Sequence, residues 1–283
     1  MRLTGVRQGL KESGYVEGQN VAIEYRFAHG QNDRLAVLAA DLIARRVAGM
    51  VTAGTPATLA AKAATATIPI VFNSGVDPVQ FGLAASLNRP GGNLTGVVIL
   101  SADLAAKKLE ILHELLPDAA VVAMLVNPTN PISEPETRAT QDAARSLGVQ
   151  LHILRASTAG EIDAAFASLV KLRARALVVG DDSYFVNQRA QVMALAVRHA
   201  VPTISGYRAF PVAGGLMSYG SDLADSYRQV GLYAGKILKG IRPADLPVQQ
   251  AVKIEMVVNL KTAKTLGITF PLPLIGRADE VIE

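Results

Sequence analysis

Short runs rich in Val and Ile alternate along this chain with longer stretches whose apolar residues recur at the helical period. The strand candidates in the first half are "NVAIEYRFA" from Asn20, "GMVTAG" from Gly49, "IPIVFNSG" from Ile68, "NLTGVVIL" from Asn93 and "AVVAMLVNP" from Ala120. In the second half they are "VQLHILRA" from Val149, "RALVVGDD" from Arg175, "VPTISGY" from Val201, "GLMSYGS" from Gly215 and "AVKIEMVVN" from Ala251. Between them lie helical stretches such as "NDRLAVLAADLIARRV" from Asn32, "ETRATQDAARSLG" from Glu136 and "NQRAQVMALAVRHA" from Asn187. Near-continuous apolar strands alternating with helices mean parallel strands covered on both faces, so the fold class is α/β.

The 283 residues exceed the usual size of one core and predict two lobes. One strand-helix series runs from the start to about Leu100, and a second begins at Ala120 after the helical "LAAKKLEILHELLPD". Half of the chain is apolar and 18% is charged, far from a disordered composition. The net charge of +4 is scattered, with Arg45-Arg46 and Lys107-Lys108 the longest basic runs. Without a basic patch or a reading motif, no nucleic-acid partner is expected. The lack of cysteine excludes disulfides, thiolate metal sites and a cysteine nucleophile. No apolar run reaches the length of a membrane span, and "MRLTGVRQGL" has no apolar core of a signal peptide.

In open parallel sheets, ligands bind beyond the carboxyl ends of the strands. The segments leaving the strands are "TAGTPAT", "NSGVDP", "NPTNP", "GDDSYF", "SGYRAF" and "SYGSD", a set rich in hydroxyls, amides, tyrosines and a few carboxylates. Thr52, Thr55 and the amides after Gly54 are placed to receive an anion such as a carboxylate at a helix start. Asp181 and Asp182 suit an ammonium group, Tyr207 and Tyr219 a planar group, and Asn127 and Asn130 supply donors and acceptors. Each has a plainer reading as well. Thr55 before Pro56 is a good helix start, Asp77-Pro78 and Asn127-Pro128 form turns, Asp182 can open a helix, and Tyr219 can pack within a strand. The weight lies in the shared character of the six loops.

Enzymatic readings are weaker. None of the four histidines shares a strand-end loop with a serine and a carboxylate, and no metal-ligand spacing occurs. "NRPGGN" from Asn88 precedes a strand where a phosphate-binding loop would open a helix. A binding protein with no cofactor and no metal is expected, not an enzyme.

The joined stretches "GYVEGQNVAIEYRFAHGQNDRLAVLAADLIARRV", "GTPATLAAKAAT", "DPVQFGLAASLNRPGGNLTG", "GGLMSYGSDLADSYRQVGLYAGKILKG", "ADLPVQQ" and "VVNLKTAKTLGI" resemble the family of ABC-transporter substrate-binding proteins. The resemblance runs from about Gly5 to Glu283 and implies the type I periplasmic binding protein fold, two Rossmann-like lobes of parallel sheet with flanking helices. It further implies export as a periplasmic protein or lipoprotein, and delivery of a small ligand, an amino acid or related carboxylate, to a membrane permease. Some relatives bind aromatic amino acids. By analogy one lobe spans 1–101 plus 215–242 and the other 102–214 plus 243–283, with a ligand cleft between them and a hinge motion on binding. The matching positions carried over as ligand contacts are Thr52, Gly54, Thr55, Ser74, Asp77, Asn127, Asn130, Asp181, Asp182, Tyr207 and Tyr219.

The front departs from the family pattern, because "MRLTGVRQGLKESGY" begins in what corresponds to the first helix. The export signal and first strand of the first lobe have no counterpart, so neighbouring strands are expected to lack a ladder partner. A start codon assigned too late, or a truncated chain whose sheet re-pairs, would each account for it. The alternative function is a ligand-sensing regulatory domain of repressor-like fold, for which no DNA-reading helix-turn-helix stands ahead of the lobes.

Overall fold

A computed structural model describes residues 2–99 and 101–283. The chain opens with α1 (Arg2–Glu12), α2 (Leu35–Ala44), β1 (Met50–Ala53), α3 (Thr55–Ala64), β2 (Ile70–Ser74) and β3 (Leu94–Val98). It continues through α4 (Ser101–Leu115), β4 (Val121–Val126), α5 (Ser133–Leu147), β5 (Gln150–Arg155), α6 (Ala159–Lys171) and β6 (Ala176–Val179). Then come α7 (Ser183–Asn187), α8 (Arg189–Arg198), β7 (Thr203–Ser205), α9 (Ala209–Val212), β8 (Met217–Ser221) and α10 (Leu223–Leu238). The last elements are β9 (Gln249–Gln250), β10 (Ile254–Asn259), α11 (Leu260–Leu266), α12 (Leu272–Ile275) and β11 (Glu280–Ile282).

Two compact units result, Met1–Leu100 with Ser221–Lys253, and Ser101–Gly220 with Ile254–Glu283. The return into the first unit was expected over 215–242. In the structure β8 pairs with β7 through Ile204–Met217 and Ser205–Ser218, which draws the segment up to Gly220 into the second unit. At the other end, β9 pairs with β3, and this holds the chain in the first unit until Lys253.

The first unit carries a four-stranded sheet of order β1-β2-β3-β9, parallel throughout. The strands β2 and β3 are buried at every position, whereas β1 lies at the edge with Val51 42% exposed. Among the described residues no strand precedes β1. The expected strand over 20–28 joins no ladder, and its one bridge is Glu17 with Val21. Its β-branched and aromatic composition suits a pleated surface, but a strand exists only where a neighbour takes its backbone groups.

The second unit carries a seven-stranded sheet of order β11-β10-β8-β7-β6-β4-β5. Alternate residues of β4 enter two cores: Val122, Met124 and Val126 face one, and Ala123 and Leu125 the other. Both faces are therefore covered, as the continuous apolar runs require. Helix ends follow their sequence signals. Thr158 and Glu161 cap α6 reciprocally, with Glu161 N–H bonding Thr158 Oγ1 (3.2 Å) and Ser157 N–H bonding Glu161 Oε2 (2.6 Å). Gly148 ends α5 at φ 68°, a left-handed conformation that costs glycine little. Among the described residues no helix is long and apolar enough to cross a membrane.

Candidate functional site

All ladders of the first sheet run parallel, so its strands end at one edge. Thr52 lies near the end of β1, and Gly54, at φ 92°, turns the chain into α3, whose first residue is Thr55. Thr55 is 2% exposed, and its Oγ1 lies 2.9 Å from Ser74 Oγ at the end of β2. The amide of Gly75 donates to the same Thr55 hydroxyl at 3.4 Å. Thr52 Oγ1 meets Thr58 Oγ1 at 2.9 Å, and Thr58 in turn bonds the Gly54 carbonyl. The start of α3 has no side-chain cap and no acidic residue in its first turn, so its positive end is not neutralised locally. The structure thus brings Thr52, Gly54, Thr55 and Ser74 into one cluster. Asp77 stands apart, exposed, with Oδ1 accepting from the amides of Val79 (2.8 Å) and Gln80 (3.0 Å) in a turn.

In the second unit, Asn127 follows β4 and Asp181 and Asp182 follow β6. Asn130 Nδ2 donates to Asp182 Oδ2 at 2.6 Å, and Asp182 Oδ1 accepts from the Tyr184 amide at 2.5 Å, capping α7. Asn127 Oδ1 accepts from the amide (3.1 Å) and hydroxyl (2.9 Å) of Thr129, and its carbonyl accepts from the Asn130 amide at 3.1 Å. Burial raises the Asp182 carboxyl above its ordinary value, against the pull of these hydrogen bonds. Asn127, Asn130, Asp181 and Asp182 therefore form a second buried cluster. Tyr207, half-buried beyond β7, packs against one core of this unit, and Tyr219, inside β8, against the other. The two rings lie toward opposite faces of the sheet.

Two residues that the loops alone do not reveal complete the second cluster. Lys108 of α4 is 0% exposed and donates from Nζ to Asp181 Oδ1 at 2.8 Å. Glu136 of α5 is 1% exposed, and its Oε2 accepts from the Asp181 amide at 3.1 Å. Burial works against the Lys108 charge, but the attraction of Asp181 and Glu136 outweighs it and leaves the ammonium above its ordinary value. Burial also raises Glu136 well above the usual carboxyl range, and the neighbouring Asp181 charge adds to this. The arrangement is one buried ion pair with a second buried carboxyl beside it. The signal was in the helices: Lys108 falls on the apolar stripe of Leu104, Ala105, Leu109 and Leu112, and Glu136 begins the buried row Glu136, Thr140, Ala144.

Residues 1–282 match the family model for ABC transporter substrate binding proteins. The tyrosine-binding protein of Clostridioides difficile (strain R20291) is 28% identical over 263 residues, 93% of this chain and 75% of that protein. A structure of an ABC domain in complex with L-Trp from Streptococcus pneumonia superposes with a TM-score of 0.90 at 26% identity, covering 99% of this chain and 95% of that one. A ligand-free, open structure of a substrate binding protein with adhesive properties from Clostridium difficile gives a TM-score of 0.68 at 25% identity, over 99% and 94% of the two chains.

Proposed function

The chain belongs to the family of ABC transporter substrate binding proteins, and from that premise we propose that it is the extracytoplasmic binding component of an ABC importer. Its ligand is an amino acid with an aromatic side chain, which it hands unaltered to a membrane permease. The relatives named for tyrosine and solved with L-Trp support this ligand class.

The observation that carries the reading is a polar cluster at the carboxyl edge of each sheet, the two being of complementary character. Hydroxyls and the uncapped start of α3 in the first unit suit a carboxylate. Amides and carboxylates in the second suit an ammonium group. Gly54, Thr55 and Ser74 hold the ligand carboxylate, with Thr52 bracing Thr58 behind them. Asn127, Asn130 and one carboxylate of the Asp181-Asp182 pair receive the amino group, and the Tyr207 ring borders the side chain. Both units then contact one ligand.

Calorimetric titration with L-tryptophan and L-tyrosine tests this directly. Thr55→Val should weaken binding by about tenfold or more, the worth of one hydrogen bond to a charged group. Unchanged affinity in that variant removes the carboxylate assignment. A wild-type chain that binds a neutral sugar and neither amino acid removes the ligand class.

A further inference from the structure

Asp181 and Asp182 are adjacent in sequence and equally buried, yet their surroundings differ. Asp181 has a cation: Lys108 Nζ, itself wholly buried, at 2.8 Å. Its amide is held by Glu136. Its carboxylate is pressed against backbone, because a methyl group on Gly206 would lie 2.1 Å from Asp181 Oδ1 and 2.7 Å from Oδ2. No ordinary Cβ contact is so short, so the carboxylate occupies space that only glycine leaves free. Asp182 is 6% exposed and accepts two hydrogen bonds from neutral donors, Asn130 and the Tyr184 amide. Among the described residues it has no cationic partner. A buried carboxylate without a counter-charge is costly, and an ammonium-bearing ligand supplies what is missing.

We propose that Lys108, Asp181 and Glu136 form an internal positioning device that fixes the 180–182 segment, and that Asp182 is the carboxylate that meets the ligand's ammonium group. This rests on the amino-acid reading above and divides its acidic pair into one structural and one recognising member. Asp181 is already engaged: its Oδ1 accepts from Lys108, and its carboxylate packs closely against Gly206. Lys108 touches no ligand. It acts through Asp181, and the peptide unit between the two aspartates passes that placement to Asp182, whose far side is pinned by Asn130.

The test compares L-tryptophan with 3-indolepropionate, which keeps the ring and carboxylate but has no amino group. The readout is the ratio of the two affinities in the full-length chain. Asp182→Asn should bring the ratio down by about tenfold or more. Asp181→Asn keeps an acceptor for Lys108 and should leave the ratio within about twofold of wild type. Lys108→Met combined with Asp181→Asn removes both members of the buried ion pair, so neither is left without its partner and the chain should fold, but the ratio should fall by about tenfold. A role in stability alone would lower the melting temperature of the double variant and leave the ratio intact, and that result overturns the proposal. So does a loss of the ratio in Asp181→Asn equal to that in Asp182→Asn. A second readout needs no ligand: exchange of the residue 181 and Tyr184 amides should speed up by about tenfold in the double variant, and unchanged exchange counts against the device. If the wild-type chain binds neither probe, the amino-acid reading fails by itself, and the exchange measurement still decides the positioning.

Discussion

Glu136 lies buried beside the ion pair of Lys108 and Asp181. Its Oε2 takes the Asp181 amide and its Oε1 has no partner. Burial, then the Asp181 charge, raises its pKa well above 4.5, while Lys108 pulls the other way. The folded chain therefore keeps the proton at pH values where the unfolded chain has released it. A group raised in this way contributes stability that is whole below the unfolded pKa and is lost as pH climbs toward the folded one. Glu136→Gln keeps the acceptor and removes the titration. Relative to wild type, the variant should gain stability as pH rises from the ordinary carboxyl value toward the folded one, by at most about 1.4 kcal/mol per pH unit. Urea unfolding at stepped pH checks this, and a constant difference would show that Glu136 is ionised in the folded state. The strand-end residues of both clusters were legible in the sequence because parallel strands deliver their carboxyl ends to one edge. Their partners were not. Asn130 and Asp182 lie 52 positions apart, Lys108 and Asp181 lie 73 apart, and spacing of that kind carries no local signal.

Helices α1 and α10 meet backbone to backbone at Gly5, Gly9 and Gly231, and Gly235 packs on the Ser13 side chain just past α1. A methyl group on Gly9 would stand 2.0 Å from the Arg228 carbonyl oxygen, and one on Gly231 would stand 2.2 Å from that of Val6. Either alanine forces the helices apart, so Gly9→Ala and Gly231→Ala should each cost about 1–3 kcal/mol despite the better helix propensity of alanine. Gly160→Ala in α6, where nothing lies within 4 Å of the added methyl, should be neutral or stabilising by up to about 1 kcal/mol. Denaturant midpoints for the three variants separate contact from propensity, and equal losses at Gly9 and Gly160 would remove the contact argument. At this scale the sequence was most readable where burial is continuous, as in β2, β3, β4 and β6, since runs such as "VVAMLV" leave no other element type at that length. It was least readable over 20–28. "NVAIEYRFA" has the composition of a strand, and Tyr25 stacks on Phe27 at 6.1 Å as same-face residues two apart do, but no ladder partner is present. The short β9 and β11 owe their pairing to neighbouring strands rather than to propensity, so nothing local announces them.

Each unit of the molecule has its own parallel sheet, and the chain passes between the units at three places, after Leu100, Gly220 and Lys253. The second and third crossings are laced together on the first-unit side: the Asp222 amide bonds the Lys253 carbonyl at 2.9 Å, and Lys253 Nζ lies 2.6 Å from Asp222 Oδ2. Two separately cored units give a ligand two ways to stabilise the chain. Held by one unit, it slows opening in that unit's strand ends alone. Shared, it slows opening in both, because every segment that must be closed for binding gains the same linkage free energy. At a hundred times the dissociation constant that gain is about 2.7 kcal/mol, or roughly hundredfold slower exchange through local opening. With L-tryptophan at that excess, the amides of Gly75 in the first unit and Asp181 in the second should slow together. Protection confined to one of them would assign the ligand to that unit alone and end the reading in which both polar clusters grip the same molecule.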